Sequence, residues 1–194
     1  INHCTWGSTW IDIDNDSYRD LYVTTGLLTS DATNEIRSYL FRSNSANSFD
    51  DSPGLFTSNH VAASYSCAKG DYNNDGLMDL AVIGQNDDVG NITKIYENKN
   101  GSFQDLNLAN RAFRYGDVKW VDLNNDGWLD IYVSNDFHED DYYYINQKDG
   151  TYKEGIRDHF KHLSRFSMGS DVADINNDGY QDVMTLDMYP DDEK

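Results

Sequence analysis

Four short apolar runs recur along the chain, each entered through a dense polar patch. The runs are Leu21-Tyr22-Val23, Leu80-Ala81-Val82, Ile131-Tyr132-Val133 and Val183-Met184-Thr185. They are rich in β-branched and aromatic residues, which suit a pleated, buried surface better than a helix. Apolar or aromatic positions also stand ahead of the patches: Trp10-Ile11, Trp120-Val121 and Val172-Ala173. The pattern predicts a strand, a polar loop and a second, antiparallel strand in each copy.

The patches are variants of one nine-residue segment. It reads DIDNDSYRD from Asp12, DYNNDGLMD from Asp71, DLNNDGWLD from Asp122 and DINNDGYQD from Asp174, with starts 59, 51 and 52 residues apart. Near-constant spacing of this kind marks an internal repeat. Three copies are followed by further strand-like sequence: SYLFRSNSANSFDD (38–51), TKIYENKNGSFQDL (93–106) and DYYYINQKDGTYKE (141–154). Asn100-Gly101 and Asp149-Gly150 interrupt the later two as hairpin turns, while the first has a longer Ser/Asn turn. Segment 108–114 offers at most a turn of helix.

Each repeat therefore supplies about four short strands. One four-stranded sheet cannot cover both of its faces, and radial stacking against like sheets does so. The expected fold is all-β, a β-propeller with about four repeat blades over 1–59, 60–110, 111–162 and 163–194. A strand solenoid is the rival architecture, with usually shorter repeats. The last repeat lacks an outer hairpin, which favours part of a larger ring.

Charge narrows the function. The chain has 34 acidic and 15 basic residues and a formal net charge of −19, which repels nucleic-acid phosphates. The 14 Tyr and 4 Trp argue against disorder. No run of 18 apolar residues and no basic amphipathic helix appears, so membrane insertion is not expected. Cys4 and Cys67 lie in different repeats; one disulfide and two buried thiols are equally good expectations.

The nine-residue loops have the chemistry of a hard-cation site. Oxygen side chains fall at loop positions 1, 3, 5 and 9, and position 7 can add its backbone carbonyl. Calcium takes six to eight oxygens at about 2.3–2.6 Å; zinc and copper prefer imidazole or sulfur, and magnesium demands stricter geometry. The alternative is an Asx-rich turn with solvent-facing acids. Position 6 is Gly76, Gly127 and Gly179, suited to positive φ, but Ser17 in the first copy. Position 12 carries Val23, Val82, Val133 and Thr185 rather than the Glu of a helical calcium hand. Bound calcium would thus be structural, pinning a turn between strands.

No catalytic constellation stands out. His159 and His162 belong to no metalloprotease pattern, and scattered Ser, His and Asp residues do not define a triad. The polar loop His138-Glu139-Asp140-Asp141 and the pair Asp87-Asp88 are candidate partner or cation sites. Tyr142, Tyr143 and Tyr144 are expected to alternate between blade faces. Asn15, Asn91 and Asn100 head short glycosylation acceptor patterns.

DYNNDGLMDLAV, DLNNDGWLDIYV and DINNDGYQDVMTLD resemble the FG-GAP/VCBS repeat class of integrin-α-like propellers. IYENKNGSFQDL and YYYINQKDGTYKE are similar to propellers associated with ASPIC/UnbV-type proteins. FSMGSDVADINNDGYQDVMTLDMYPDDE resembles large VCBS proteins of Bacteroidota cell envelopes. The resemblance implies a seven-bladed ring, structural calcium, and an extracellular or cell-surface setting, with outer-membrane association among the options. It places calcium on Asp12, Asp14, Asp16 and Asp20; Asp71, Asn73, Asp75 and Asp79; Asp122, Asn124, Asp126 and Asp130; and Asp174, Asn176, Asp178 and Asp182. The carbonyls would come from Tyr18, Leu77, Trp128 and Tyr180, giving up to four ions. Ser17 departs from the family glycine, and the Phe-Gly-Gly-Ala-Pro element is not preserved. The expected function is a calcium-stabilised extracellular module binding protein or glycan, with further blades on the same or another chain as partners. The rivals are a domain of a polysaccharide-processing surface enzyme complex and a purely structural scaffold.

Overall fold

The computed structural model describes residues 4–26, 38–44, 48–52, 55–56, 63–86, 90–106, 116–136 and 140–188. These form four antiparallel sheets, each of strands consecutive in the chain. The first holds β1 (Cys4–Ile11), β2 (Asp20–Gly26), β3 (Tyr39–Ser43) and β4 (Phe49–Asp51). The second holds β5 (Ala63–Gly70), β6 (Asp79–Asn86), β7 (Gly90–Asn98) and β8 (Phe103–Asp105). The third holds β9 (Asp117–Val121), β10 (Asp130–Ser134), β11 (Tyr142–Asn146) and β12 (Tyr152–Glu154). A short helix, α1 (Ile156–His159), precedes the two-stranded fourth sheet, β13 (Ser167–Ala173) and β14 (Asp182–Asp187).

The sheets meet mainly through their first strands: β1 packs on β5, β5 on β9, and β9 on β13. First strands therefore form the inner wall, and later strands step outward. This is the blade arrangement of a β-propeller, as the repeat length predicts.

The core lies between blades. Leu80 and Val82 of β6 belong to the layer shared with the first blade, together with Ile11, Tyr22 and Leu40. Ala81 and Ile83 belong to the layer shared with the third, with Val118, Ile131 and Val133. A mid-ring strand is thus covered on both faces, which is why its apolar run is continuous rather than alternating. Each of the Leu, Ile and Val side chains among them, fully buried, contributes about 1.5–3 kcal/mol. The third layer joins Val121, Tyr132, Tyr143 and Ile156 to Val172 and Val183 of the fourth blade. Beyond it Met184, Leu186 and Met188 are exposed.

The outer hairpins follow their turn residues. Asn100 and Gly101 both take positive φ (54° and 95°), and Lys99 N–H donates to the Ser102 carbonyl at 2.7 Å. In the third blade Lys148 and Gly150 take positive φ, and Gln147 N–H reaches Thr151 O at 2.9 Å. Tyr142 and Tyr144 stack on one face of β11 (5.9 Å between rings), while Tyr143 is buried on the other. Cys67 is a free thiol; the side chain of Cys4, residues 87–88 and segment 108–114 lie outside the described residues.

Candidate metal centre at the acidic loops

Each acidic loop joins the first two strands of its blade and closes on its own carboxylates. The position-1 aspartate accepts two backbone N–H groups. For Asp12 these come from Asp16 and Ser17, both at 3.1 Å. For Asp122 they come from Asp126 at 2.9 Å and Gly127 at 2.8 Å. Asp71 and Asp174 repeat the arrangement. The position-5 aspartate takes the N–H of position 7: Asp16 from Tyr18, Asp75 from Leu77, Asp126 from Trp128 and Asp178 from Tyr180. Asn73, Asn124 and Asn176 at position 3 each accept the N–H of position 5.

Two backbone positions turn left-handed in every loop. Position 6 does so at Gly76, Gly127 and Gly179 (φ 86°, 83° and 90°), and Ser17 follows at 74°. The first loop therefore keeps the shared turn despite its serine, at a backbone cost that glycine avoids. Position 4 is the second: Asn15, Asn74, Asn125 and Asn177 lie between 54° and 59°. Asparagine tolerates that region better than most residues, which accounts for its recurrence there.

The position-9 aspartates are joints, buried in the first three blades and half-buried in the fourth. Asp20 accepts N–H groups from Ile13 (3.0 Å) and Ser43 (2.8 Å). Asp79 accepts them from Tyr72 (3.1 Å) and Asn98 (2.7 Å). Asp130 takes Asn146 N–H at 2.8 Å and the Tyr143 hydroxyl. Asp182, in the two-stranded blade, holds Ile175 N–H at 3.0 Å. Burial pushes the carboxyls of Asp20, Asp79 and Asp130 upward, against the lowering effect of these bonds and helped by the neighbouring loop acids; Asp79 reaches about 7.

The first loop differs at position 3. Asp14 pairs with Arg42 of β3 through one oxygen, and its other oxygen, Oδ1, is buried with no hydrogen-bond partner. Oxygens of Asp12, Asp14 and Asp20 lie within 4.8 Å of one another. Among the described residues no other three acidic, His or Cys groups converge this closely. The second to fourth loops carry asparagine where Asp14 stands, so their oxygen sets are less charged. Asp16 stands outside the converging trio. Hard, anionic oxygens with one unsatisfied lone-pair bearer suit calcium.

Three features were not singled out by sequence pattern. Asn98 donates its amide to the Ile13 carbonyl of the preceding blade (2.8 Å) and to Met78 O (3.1 Å). Asn146 repeats this on Tyr72 O (2.9 Å) and Leu129 O (3.1 Å). The available signal was an asparagine closing the third strand of both repeats, in IYEN and YYIN. The third feature is Asp141. The chain places it not on an open polar loop but in a buried joint, where it accepts from Tyr132, Asn135 and Ser167. Asp140 beside it pairs with Arg157. His159 packs edge-on against Tyr143, 5.4 Å between rings, while His162 is exposed.

Comparison with known proteins agrees with this architecture. No curated protein sequence matches the chain. A solved structure from Agrocybe aegerita, a lectin described by its specific recognition of non-reducing terminal N-acetylglucosamine, is similar in fold with a TM-score of 0.58 and 18% identity. The match covers 94% of this chain and 46% of the lectin's, so this chain spans about half the length of that one. The FG-GAP-like repeat pattern matches three times, over residues 12–82, 71–133 and 122–185, each match running from one acidic loop to the strand after the next. With that pattern extending over most of its length, the chain belongs to the FG-GAP-like repeat family.

Proposed function

We propose that the protein is a binding module: a β-propeller whose acidic loops are pinned by calcium and which takes a glycan, or failing that a protein, at an extracellular surface. The observation that carries this reading is the first loop, where three carboxylates converge and Asp14 Oδ1 lacks a partner. Asp12, Asp14, Asp16 and Asp20 with the Tyr18 carbonyl would hold the ion there. The Asp/Asn sets beginning at Asp71, Asp122 and Asp174 would do so in the later loops. Bound calcium supplies positive charge and fixed oxygen coordination at the turn. Extracellular calcium modules work at about 10⁻⁴–10⁻³ M, a range suited to loops with this few charges.

A ligand-binding role is supported by the propeller architecture shared with a lectin. A larger ring is supported by the exposed apolar face of the fourth blade and by the half-length match. The test is a glycan array probed with the intact chain, with and without calcium, followed by product analysis of any bound glycan. Saturable binding without turnover is expected. Turnover would overturn the reading in favour of a polysaccharide-processing domain, and absence of both would leave a scaffold.

A further inference from the structure

The inner wall carries a second feature, far from the acidic loops. β1, β5 and β13 each break register once, between Thr5 and Gly7, Ser64 and Ser66, and Ser167 and Gly169. The residues inside these breaks are Trp6, Tyr65 and Met168, each six positions before its loop aspartate. Just ahead of β9 the same place is taken by Gly116, where an added Cβ would lie 1.7 Å from Ser134 O. These four positions border one cavity of about 370 Å³. Bulges re-aim side chains and gather beside functional sites. Three at one level, around one cavity, form a repeated device. At about 3.3 Å per residue the bulged positions sit roughly 20 Å along their strands from the loops.

Its chemistry is mixed. Trp6 is 48% exposed and Met168 46%, so an aromatic and a thioether surface are open to a ligand. Trp6 is braced edge-on by Tyr65 (5.9 Å) and lies over Gly26, where a Cβ would be 2.5 Å from the indole nitrogen. The polar side is Asp117, which accepts Ser66 Oγ at 2.6 Å and pairs with Lys119 at 2.9 Å. Ser8 adds an exposed hydroxyl. Cys67, also at the wall, has its thiol pushed up to about 12 by burial, with Asp117 adding to the shift, and is a poor nucleophile.

We propose that this axial cavity is a saccharide subsite taking an uncharged sugar, stacked on Trp6 and hydrogen-bonded by Ser8, Lys119 and Asp117. This rests on the glycan-binding reading above. The pairing of Lys119 with Asp117 disfavours an anionic ligand, and the half-exposed, solvated carboxylate–ammonium pair disfavours a lipid. The volume lies within the range of small-molecule sites, about 300–1,000 Å³.

The test uses the intact chain in calcium-containing buffer, titrated with methyl glycosides of glucose, galactose, mannose and N-acetylglucosamine. Trp6→Ala should weaken binding by about tenfold or more. Ser8→Tyr, which fills the cavity from an exposed position, should do the same if Trp6→Ala unfolds the blade. Trp10→Ala, equally exposed but lower on β1, should stay within about twofold of the parent. Saccharide binding that survives both cavity substitutions would overturn the axial subsite and leave the binding module standing. No saturable binding of any of the four up to about 10 mM would overturn the subsite. If the glycan array is also blank, the glycan reading falls with it.

Discussion

At the scale of single residues, the acidic loop is a backbone device before it is a metal site. Its position-1 and position-5 carboxylates already take up N–H groups of the turn, so the loop can close without an ion. The left-handed positions then set the local cost. A Cβ at Gly127 would meet nothing within 4 Å, so Gly127→Ala tests backbone strain alone. It should destabilise the protein by about 1 kcal/mol, and Ser17→Gly should stabilise it by a similar amount, both measured by urea unfolding. Asn98 is a different case, because its amide spans two blades and is buried. Asn98→Ala should cost about 1–3 kcal/mol, since two carbonyls lose their donor. Asn15→Ala loses only an exposed 3.5 Å contact to Gly76 O but must hold the left-handed φ of 54°, so it should cost about 1 kcal/mol or less, all of it backbone strain.

At the scale of elements, the strands were legible because each carries its own signal. Leu80-Ala81-Val82 and Ile131-Tyr132-Val133 are continuous apolar runs because blades cover both faces, and Asn100-Gly101 announces its turn. The loop oxygens were legible through their spacing. The position-9 aspartates were not legible as buried joints, because their partners are N–H groups far away in sequence, such as Ser43 for Asp20. Asp141 misled for the same reason: in sequence it sits in an acidic run, yet β13 and Tyr132 enclose it. That enclosure has a pH consequence. Burial raises the Asp141 carboxyl above its ordinary value, with Asp187 adding to the effect and the hydroxyl and N–H bonds opposing it. The folded state therefore holds this proton to higher pH than the unfolded chain. Its contribution to stability falls as pH rises from the usual carboxylate range through the raised value. Comparing unfolding of the parent with Asp141→Asn across that range should show a shallower decline in the variant.

At the scale of the whole molecule, four blades form an arc with an apolar end. Ile175, Met184, Leu186 and Met188 are all more than half exposed on the fourth blade, a concentration that a solitary soluble surface seldom carries. The chain as given should therefore self-associate with rising concentration. Met184→Lys with Leu186→Lys should return it to a monomer, as read by light scattering coupled to size exclusion. The charge of −19 acts on the same scale, since acids gathered at the loop ends of four blades repel one another unless cations intervene. Calcium is the cation proposed for this role. Its most direct test is calorimetric unfolding of the metal-stripped chain against the same chain with calcium restored, with bound metal counted in parallel. Bound calcium and a saturable rise in melting temperature are expected, with each occupied site contributing about 2.7 kcal/mol at a hundredfold excess over its Kd. Asp14→Ala should remove the first loop's share. No bound calcium and an unchanged melting temperature would rule calcium out of the loops.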